Sequence, residues 1–271
     1  MKFKLGVIAC AAAALVLAQD TSDRVSVPLT DPNRPATVRV DLMHGSINVR
    51  THTGKEILVE RSGGGAERTS RRTNQRPQAE LEGLRRIDIG GARFTIEESE
   101  NTVRINSGMS PSGNLTLLVP VNTALKLKTM TGSISVEGVN SEVEANSMNG
   151  EVRVQNVQGA VVAHSLNGKV IVSLNRVDPN KPMAFSTMNG DIDVTLPADT
   201  KARLRLKDDH GEVWTDFDMK LEATPKVEQG RGEDGKYKVR FERSVTGTIN
   251  GGGPDLSFTT MNGQIRIRKQ K

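Results

Sequence analysis

The chain predicts an all-β fold, a β-solenoid of stacked two-strand coils with an N-terminal β-strand region continuing into it. Three observations carry that expectation. A short apolar residue followed by Asn-Gly recurs at Met148-Asn149-Gly150, Leu166-Asn167-Gly168, Met188-Asn189-Gly190 and Met261-Asn262-Gly263. Relaxed copies stand at Met43-His44-Gly45, Met130-Thr131-Gly132, Asp209-His210-Gly211 and Val245-Thr246-Gly247. From Gly132 the glycines fall at intervals of 18, 18, 22, 21, 36 and 16 residues. A period of about 20 residues is the mark of one supersecondary unit stacked on the next. The third observation is a second corner in each repeat, as near Gly138, which favours two-strand coils over a meander of hairpins.

The first eighteen of the 271 residues read as a secretory signal peptide. Lys2 and Lys4 precede an apolar run from Leu5 to Leu17, and Val16-Leu17-Ala18 supplies small residues before Gln19. The run is too short to span a bilayer comfortably, so no transmembrane helix is expected. A rival reading takes Val7-Ile8-Ala9-Cys10 as a lipoprotein site, leaving only five residues between Lys4 and Cys10. Cleavage after Ala18 removes the single cysteine and lowers the formal charge from +5 to +3. That mild charge and 3% aromatic residues argue against a nucleic-acid partner.

Residues 19–37, with Pro28, Pro32 and Pro35, read as a linker or edge segment. A single domain is expected over 38–271. Alternation begins at Val38, Val40 and Leu42, turns at Gly45 and resumes at Ile47 and Val49, with Ile57-Leu58-Val59 beyond. Residues 61–86 break the pattern as a basic loop insertion in which Gly63-Gly64-Gly65 is followed by six arginines; it reads as a flexible loop, or one holding a short helix around Gln78 to Leu84. Strands are expected again at Ile87–Ile89, Phe94–Ile96, Val103–Ile105 and Leu115–Val119.

From Leu125 each pass carries two strands and two corners. Leu125, Leu127, Ile134 and Val136 form one inward set; Val143, Ala145, Val152 and Val154 form the next; Val161, Ala163, Val170 and Val172 follow. Ser133, Ser135, Glu142, Glu144, Glu151 and Arg153 fall outward. The structural turn residues are Gly45, Gly132, Asn149, Gly150, Asn167, Gly168, Asn189, Gly190, Gly211, Asn262 and Gly263. Asn and Gly tolerate positive φ, and His44 and His210, in the Asn position, share part of that tolerance. Alternation sends Thr129, Ser147, Ser165, Thr187 and Thr260 inward. The adjoining Met130, Met148, Leu166, Met188 and Met261 are expected to rotate at the corner and fill the end of the core. The alternative is an apolar stripe along one edge.

With Gly45 to Val49, Leu117 to Pro120, Leu125 to Val136 and the tandem Thr/Ser-x-x-Gly-x-Ile/Val-x-Val units, the chain resembles the bacterial putative-adhesin family of β-strand-repeat proteins. The likeness covers roughly residues 38–268. The resemblance implies surface or envelope interaction and transfers no catalytic residue. The segment between Trp214 and Thr246, with Tyr237-Lys238-Val239-Arg240-Phe241, departs from the even repeat.

The expected function is an exported, non-enzymatic binding or structural module of the envelope, periplasmic or on the surface. Its partner would be an envelope protein or a surface glycan, with no cofactor and no metal. The alternatives are a polysaccharide-acting β-helix enzyme and a periplasmic sensory partner. An enzyme would draw on Asp191, Asp193, Asp208, Asp209, Asp216 and Asp218, with Asp193 stacked beside Trp214 if Gly190 and Gly211 occupy equivalent corners. Gln264 to Ile267, followed by Arg268, Lys269 and Lys271, is expected to close the stack as a charge-protected edge.

Overall fold

The computed structural model describes residues 23–62, 94–107, 113–222, 227–231, 237–241 and 244–271. The expected signal peptide, the Ile87–Ile89 strand and the basic insertion beyond Ser62 lie outside these residues.

Among the described residues eight coils, each giving one strand to each of two facing sheets, make up the stack. They pair β2 (Thr37–His44) with β3 (Ile47–His52), β6 (Thr102–Ser107) with β7 (Asn114–Pro120), and β8 (Ala124–Thr131) with β9 (Ile134–Glu137). Next come β10 (Val143–Asn149) with β11 (Val152–Val157), β12 (Val161–Asn167) with β13 (Val170–Leu174), and β14 (Met183–Asn189) with β15 (Ile192–Leu196). The last two are β16 (Ala202–Asp208) with β17 (Val213–Thr215), and β22 (Asp255–Thr260) with β23 (Ile265–Lys269).

Within each sheet these strands run parallel and in register, so equivalent positions form rows. One row runs Val40, Leu127, Ala145, Ala163, Phe185, Phe258; the small alanines sit beside the paired Phe185 and Phe258 rings, whose centroids are 5.1 Å apart. On the facing sheet Ile47, Ile134, Val152, Val170, Ile192 and Ile265 line up, all essentially inaccessible to solvent. Burying each such side chain contributes about 1.5–3 kcal/mol, which ties neighbouring coils together.

The coils do not stack in chain order. Coil 37–52 lies between coil 102–120 and coil 124–137. At the other end, coil 255–269 is inserted between coil 183–196 and coil 202–215. Two sequence expectations fall with this. Asp193 faces Arg266, and Trp214 lies on the far side of that arginine. The Gln264 to Ile267 segment is an interior strand rather than a protected edge. Polar pairs accompany the placement: Arg266 meets Asp191 at 3.5 Å, Arg268 meets Asp193 at 2.9 Å, and the Lys269 amide donates to Asp216 at 2.7 Å.

Antiparallel strands extend three of the four sheet ends. β4 (Ile57–Ser62) and β1 (Asp23–Val27) add to β7; β5 (Phe94–Ser99) adds to β6; β21 (Ser244–Ile249) and β18 (Met219–Glu222) add to β16. The fourth end is the three-residue β17, too short to offer a long pairing edge. A separate hairpin joins β19 (Val227–Arg231) to β20 (Tyr237–Phe241). Thr246-Gly247, read as a relaxed corner, lies inside antiparallel β21 instead, where a Cβ on Gly247 would stand 2.6 Å from the Met219 side chain.

Candidate functional site

The repeated corner joins the eleven-stranded sheet to the ten-stranded one, and three rows of residues meet there. The innermost is Thr129, Ser147, Ser165, Thr187 and Thr260, all buried. Each hydroxyl donates to the glycine carbonyl of the neighbouring coil: Thr129 to Gly45 at 3.0 Å, Ser147 to Gly132, Ser165 to Gly150 and Thr187 to Gly168 at 2.9 Å, and Thr260 to Gly190 at 3.2 Å. A buried hydroxyl without such an acceptor would be costly, so the row is apolar in effect and polar in chemistry. Asp208 continues it, accepting from the His210 amide at 3.1 Å and the Gly211 amide at 2.7 Å.

The second row holds the glycines. Positive φ occurs at Gly45 (125°) and Gly132 (146°). Gly150, Gly168, Gly190, Gly211 and Gly263 are required for another reason: a Cβ on any of them would stand 1.7–2.2 Å from the carbonyl oxygen of the adjacent coil's glycine. The asparagines also owe their place to something other than φ. Among the described residues the non-glycine positive φ values belong to Glu100, Asn101, Asn156 and Asn250, and none to the corner asparagines. Asn149, Asn167, Asn189 and Asn262 instead form a side-chain ladder. Asn167 Nδ2 donates to Asn149 Oδ1 at 2.9 Å, Asn189 to Asn167 at 2.8 Å, and Asn262 to Asn189 at 2.8 Å. Identical amides recurring at one position of four coils were the signal for this. His44 and Thr131 extend the row at one end and His210 at the other, its Nδ1 3.2 Å from the Met261 carbonyl oxygen.

The outermost row corrects a sequence expectation. Met130, Met148, Met188 and Met261 are 38–45% exposed and Leu166 is half-buried, so the row does not fill the end of the core. Residues on either side are in register, Ser147 with Thr129 and Asn149 with Thr131, which sets Met148 beside Met130. The same holds through Leu166, Met188 and Met261, and Met43 begins the row. The alternation of the strand continues to its last residue because the inward Ser or Thr is held by its hydrogen bond. The result is an apolar ridge along one edge of the stack.

The acidic cluster is not gathered into one site. Asp191 and Asp193 pair with arginines, Asp208 closes a turn, and Asp216 accepts a backbone amide. A shallow recess of about 440 Å³ beside β17 is lined by Trp214, Thr215, Asp216, Gln264, Arg266 and Arg268. Trp214 is 59% exposed there. On the opposite sheet His164 Nδ1 lies 2.8 Å from Ser186 Oγ, on a flat outward face. Among the described residues no group of three or more His, Cys, Asp or Glu is placed to hold a metal, and no helix is long and apolar enough to cross a membrane.

No curated protein matches the sequence. A solved structure described as a putative cell adhesion protein from Clostridium sporogenes ATCC 15579 is 12% identical, with a TM-score of 0.43; the match covers 92% of this chain and all of the other. A second, described as a putative adhesin from Bacteroides fragilis NCTC 9343, is 11% identical, with a TM-score of 0.32, and covers 92% of this chain and 97% of that one. The family model described as Toastrack DUF4097 matches residues 97–268, which take in seven of the eight coils, all but coil 37–52. The chain belongs to the Toastrack DUF4097 family.

Proposed function

We propose that this chain is an exported, non-enzymatic binding and structural module of the bacterial envelope or cell surface. The observation that carries the reading is the ridge of Met130, Met148, Leu166, Met188 and Met261. It leaves large apolar side chains partly in solvent on a stack whose corner amides bond one another and whose corner hydroxyls donate to glycine carbonyls. A row of apolar side chains in water costs free energy, and a protein surface that keeps one offers it to a partner. The reading of residues 1–18 as a signal peptide supports a partner outside the cytoplasm, an envelope protein or a surface glycan.

A polysaccharide-acting role draws support from one feature, the exposed Trp214 face beside Arg266, Arg268 and Asp216. An indole can stack on a sugar ring while arginines meet its carboxylates.

The two readings separate in one experiment. The full chain and its Met130→Gln/Met148→Gln/Met188→Gln variant are applied to envelope protein from the source cell and to a glycan array, with an assay for glycan cleavage alongside. Saturable binding that the ridge variant loses supports the module. Cleavage that disappears in Trp214→Ala/Asp216→Ala overturns it.

A further inference from the structure

The ridge is built of thioethers at one end, and this carries an inference separate from partner binding. Met43, Met130 and Met148 occupy equivalent positions on three consecutive coils, as the flanking pairs Leu42 with Thr129, His44 with Thr131, and Asn149 with Thr131 fix. Neighbouring strands lie about 4.8 Å apart, so the three side chains leave the corner side by side. Met130 and Met148 are 38% and 45% exposed, and Met43 is half-buried with its amide donating to Ser107 Oγ at 3.2 Å. His44, the next residue in the chain, is exposed at the same corner.

We propose that Met43, His44, Met130 and Met148 form a binding site for a soft monovalent cation of the Cu(I) class. Thioether sulfur and imidazole nitrogen are the donor types that favour Cu(I), whereas Mg²⁺, Ca²⁺ and Mn²⁺ want carboxylate and carbonyl oxygen. Apart from His44, the sequence neighbours of the three methionines are Leu42, Thr129, Thr131, Ser147 and Asn149, none of them a carboxylate; two positions earlier on the same outward face stand Asp41, Lys128 and Asn146. The rigid part of the site is the corner backbone, held by the Thr129-to-Gly45 and Ser147-to-Gly132 bonds. The adaptable part is the methionine side chain, whose three rotatable bonds let sulfurs on adjacent coils converge on one ion. Leu166 ends the sulfur run, which separates this group from Met188 and Met261. That second pair lies beside His210, whose Nδ1 already contacts a backbone carbonyl, so the three-sulfur corner is the better site.

The test uses the full chain carrying Cys10→Ser, so that its only thiol does not compete, titrated anaerobically with Cu(I) against bicinchoninate. The protein is expected to withdraw one Cu(I) per chain. Met130→Leu, at the centre of the group, is expected to weaken binding at least tenfold, and Met43→Leu/Met130→Leu/Met148→Leu to abolish it. These leucines are close to methionine in volume, so thermal unfolding is expected to stay as in the parent, which separates loss of the sulfurs from loss of the fold. Met188→Leu/Met261→Leu is expected to leave the Cu(I) affinity within twofold. Failure of the starting protein to take Cu(I) from bicinchoninate would overturn the site, as would unchanged affinity in the triple variant.

Discussion

A Cβ placed on Gly150 would stand 2.1 Å from the carbonyl oxygen of Gly132 one coil away. That oxygen is also the acceptor of the Ser147 hydroxyl. The repeated glycine is thus a spacing element: it lets backbones of successive coils approach closely enough for the corner bonds to form.

Gly150→Ala is expected to destabilise the chain by about 3 kcal/mol, because backbone rather than a flexible side chain must move. Chemical denaturation measures this. Stability within experimental error of the parent would contradict the spacing role.

Ser147→Ala removes the donor to Gly132 and leaves the Gly132 carbonyl one bond short. The expected loss is about 1 kcal/mol, with Ser147→Thr recovering most of it, since Thr129 and Thr187 make the same bond on other coils. A threonine variant no better than alanine would count against the hydroxyl ladder.

Asn167 both donates to Asn149 and accepts from Asn189. Asn167→Ala is expected to cost about 1 kcal/mol, more than Asn262→Ala at the end of the ladder. Equal effects at the two positions would mean that the amides act singly. Urea midpoints of the two variants give the comparison.

Glu98 accepts from the Thr30 amide at 3.1 Å, from the Thr30 hydroxyl and from the Asn101 amide, and the Thr30 backbone bond chiefly holds its carboxyl below the usual carboxylate range. A lowered folded-state value means that this contribution is fully present above the unfolded glutamate value of about 4.3 and is lost as pH falls through the lowered one. Glu98→Gln is therefore expected to flatten the loss of stability as pH falls below the unfolded glutamate value. An acid titration as steep as the parent's would contradict it.

Coil formation was legible in the sequence because inward Val, Ile and Leu alternate strictly and corners recur every 18 residues between Gly132 and Gly168. Coil order was not. Neighbouring coils have interchangeable apolar rows, so nothing local tells Ile265 to pair with Ile192 on one side and Val213 on the other. The informative feature was long-range charge, with Arg266 and Arg268 matched to Asp191 and Asp193. The Met row stayed ambiguous because its direction depends on whether the preceding Ser or Thr finds an acceptor inside the corner. Only the stacked backbone supplies that acceptor.

Removing residues 255–271 excises an interior coil, not an end. Phe185 loses Phe258, and the rows on coils 183–196 and 202–215 lose their shared neighbour. The truncated chain is expected to bind a hydrophobic dye and unfold without a sharp transition. Cooperative unfolding with no dye binding would show that the two coils can restack directly.

The continuity of the ridge depends on that inserted coil, because it sets Met261 next to Met188. Disulfide trapping in a Cys10→Ser background tests the order most directly. Asp193→Cys/Arg266→Cys joins directly paired positions, whereas Asp193→Cys/Trp214→Cys spans two strands, beyond the roughly 7 Å limit for a disulfide. Rapid oxidation of the first pair and none of the second is the predicted result; crosslinking of Asp193→Cys to Trp214→Cys in its place would contradict the fold and the ridge together.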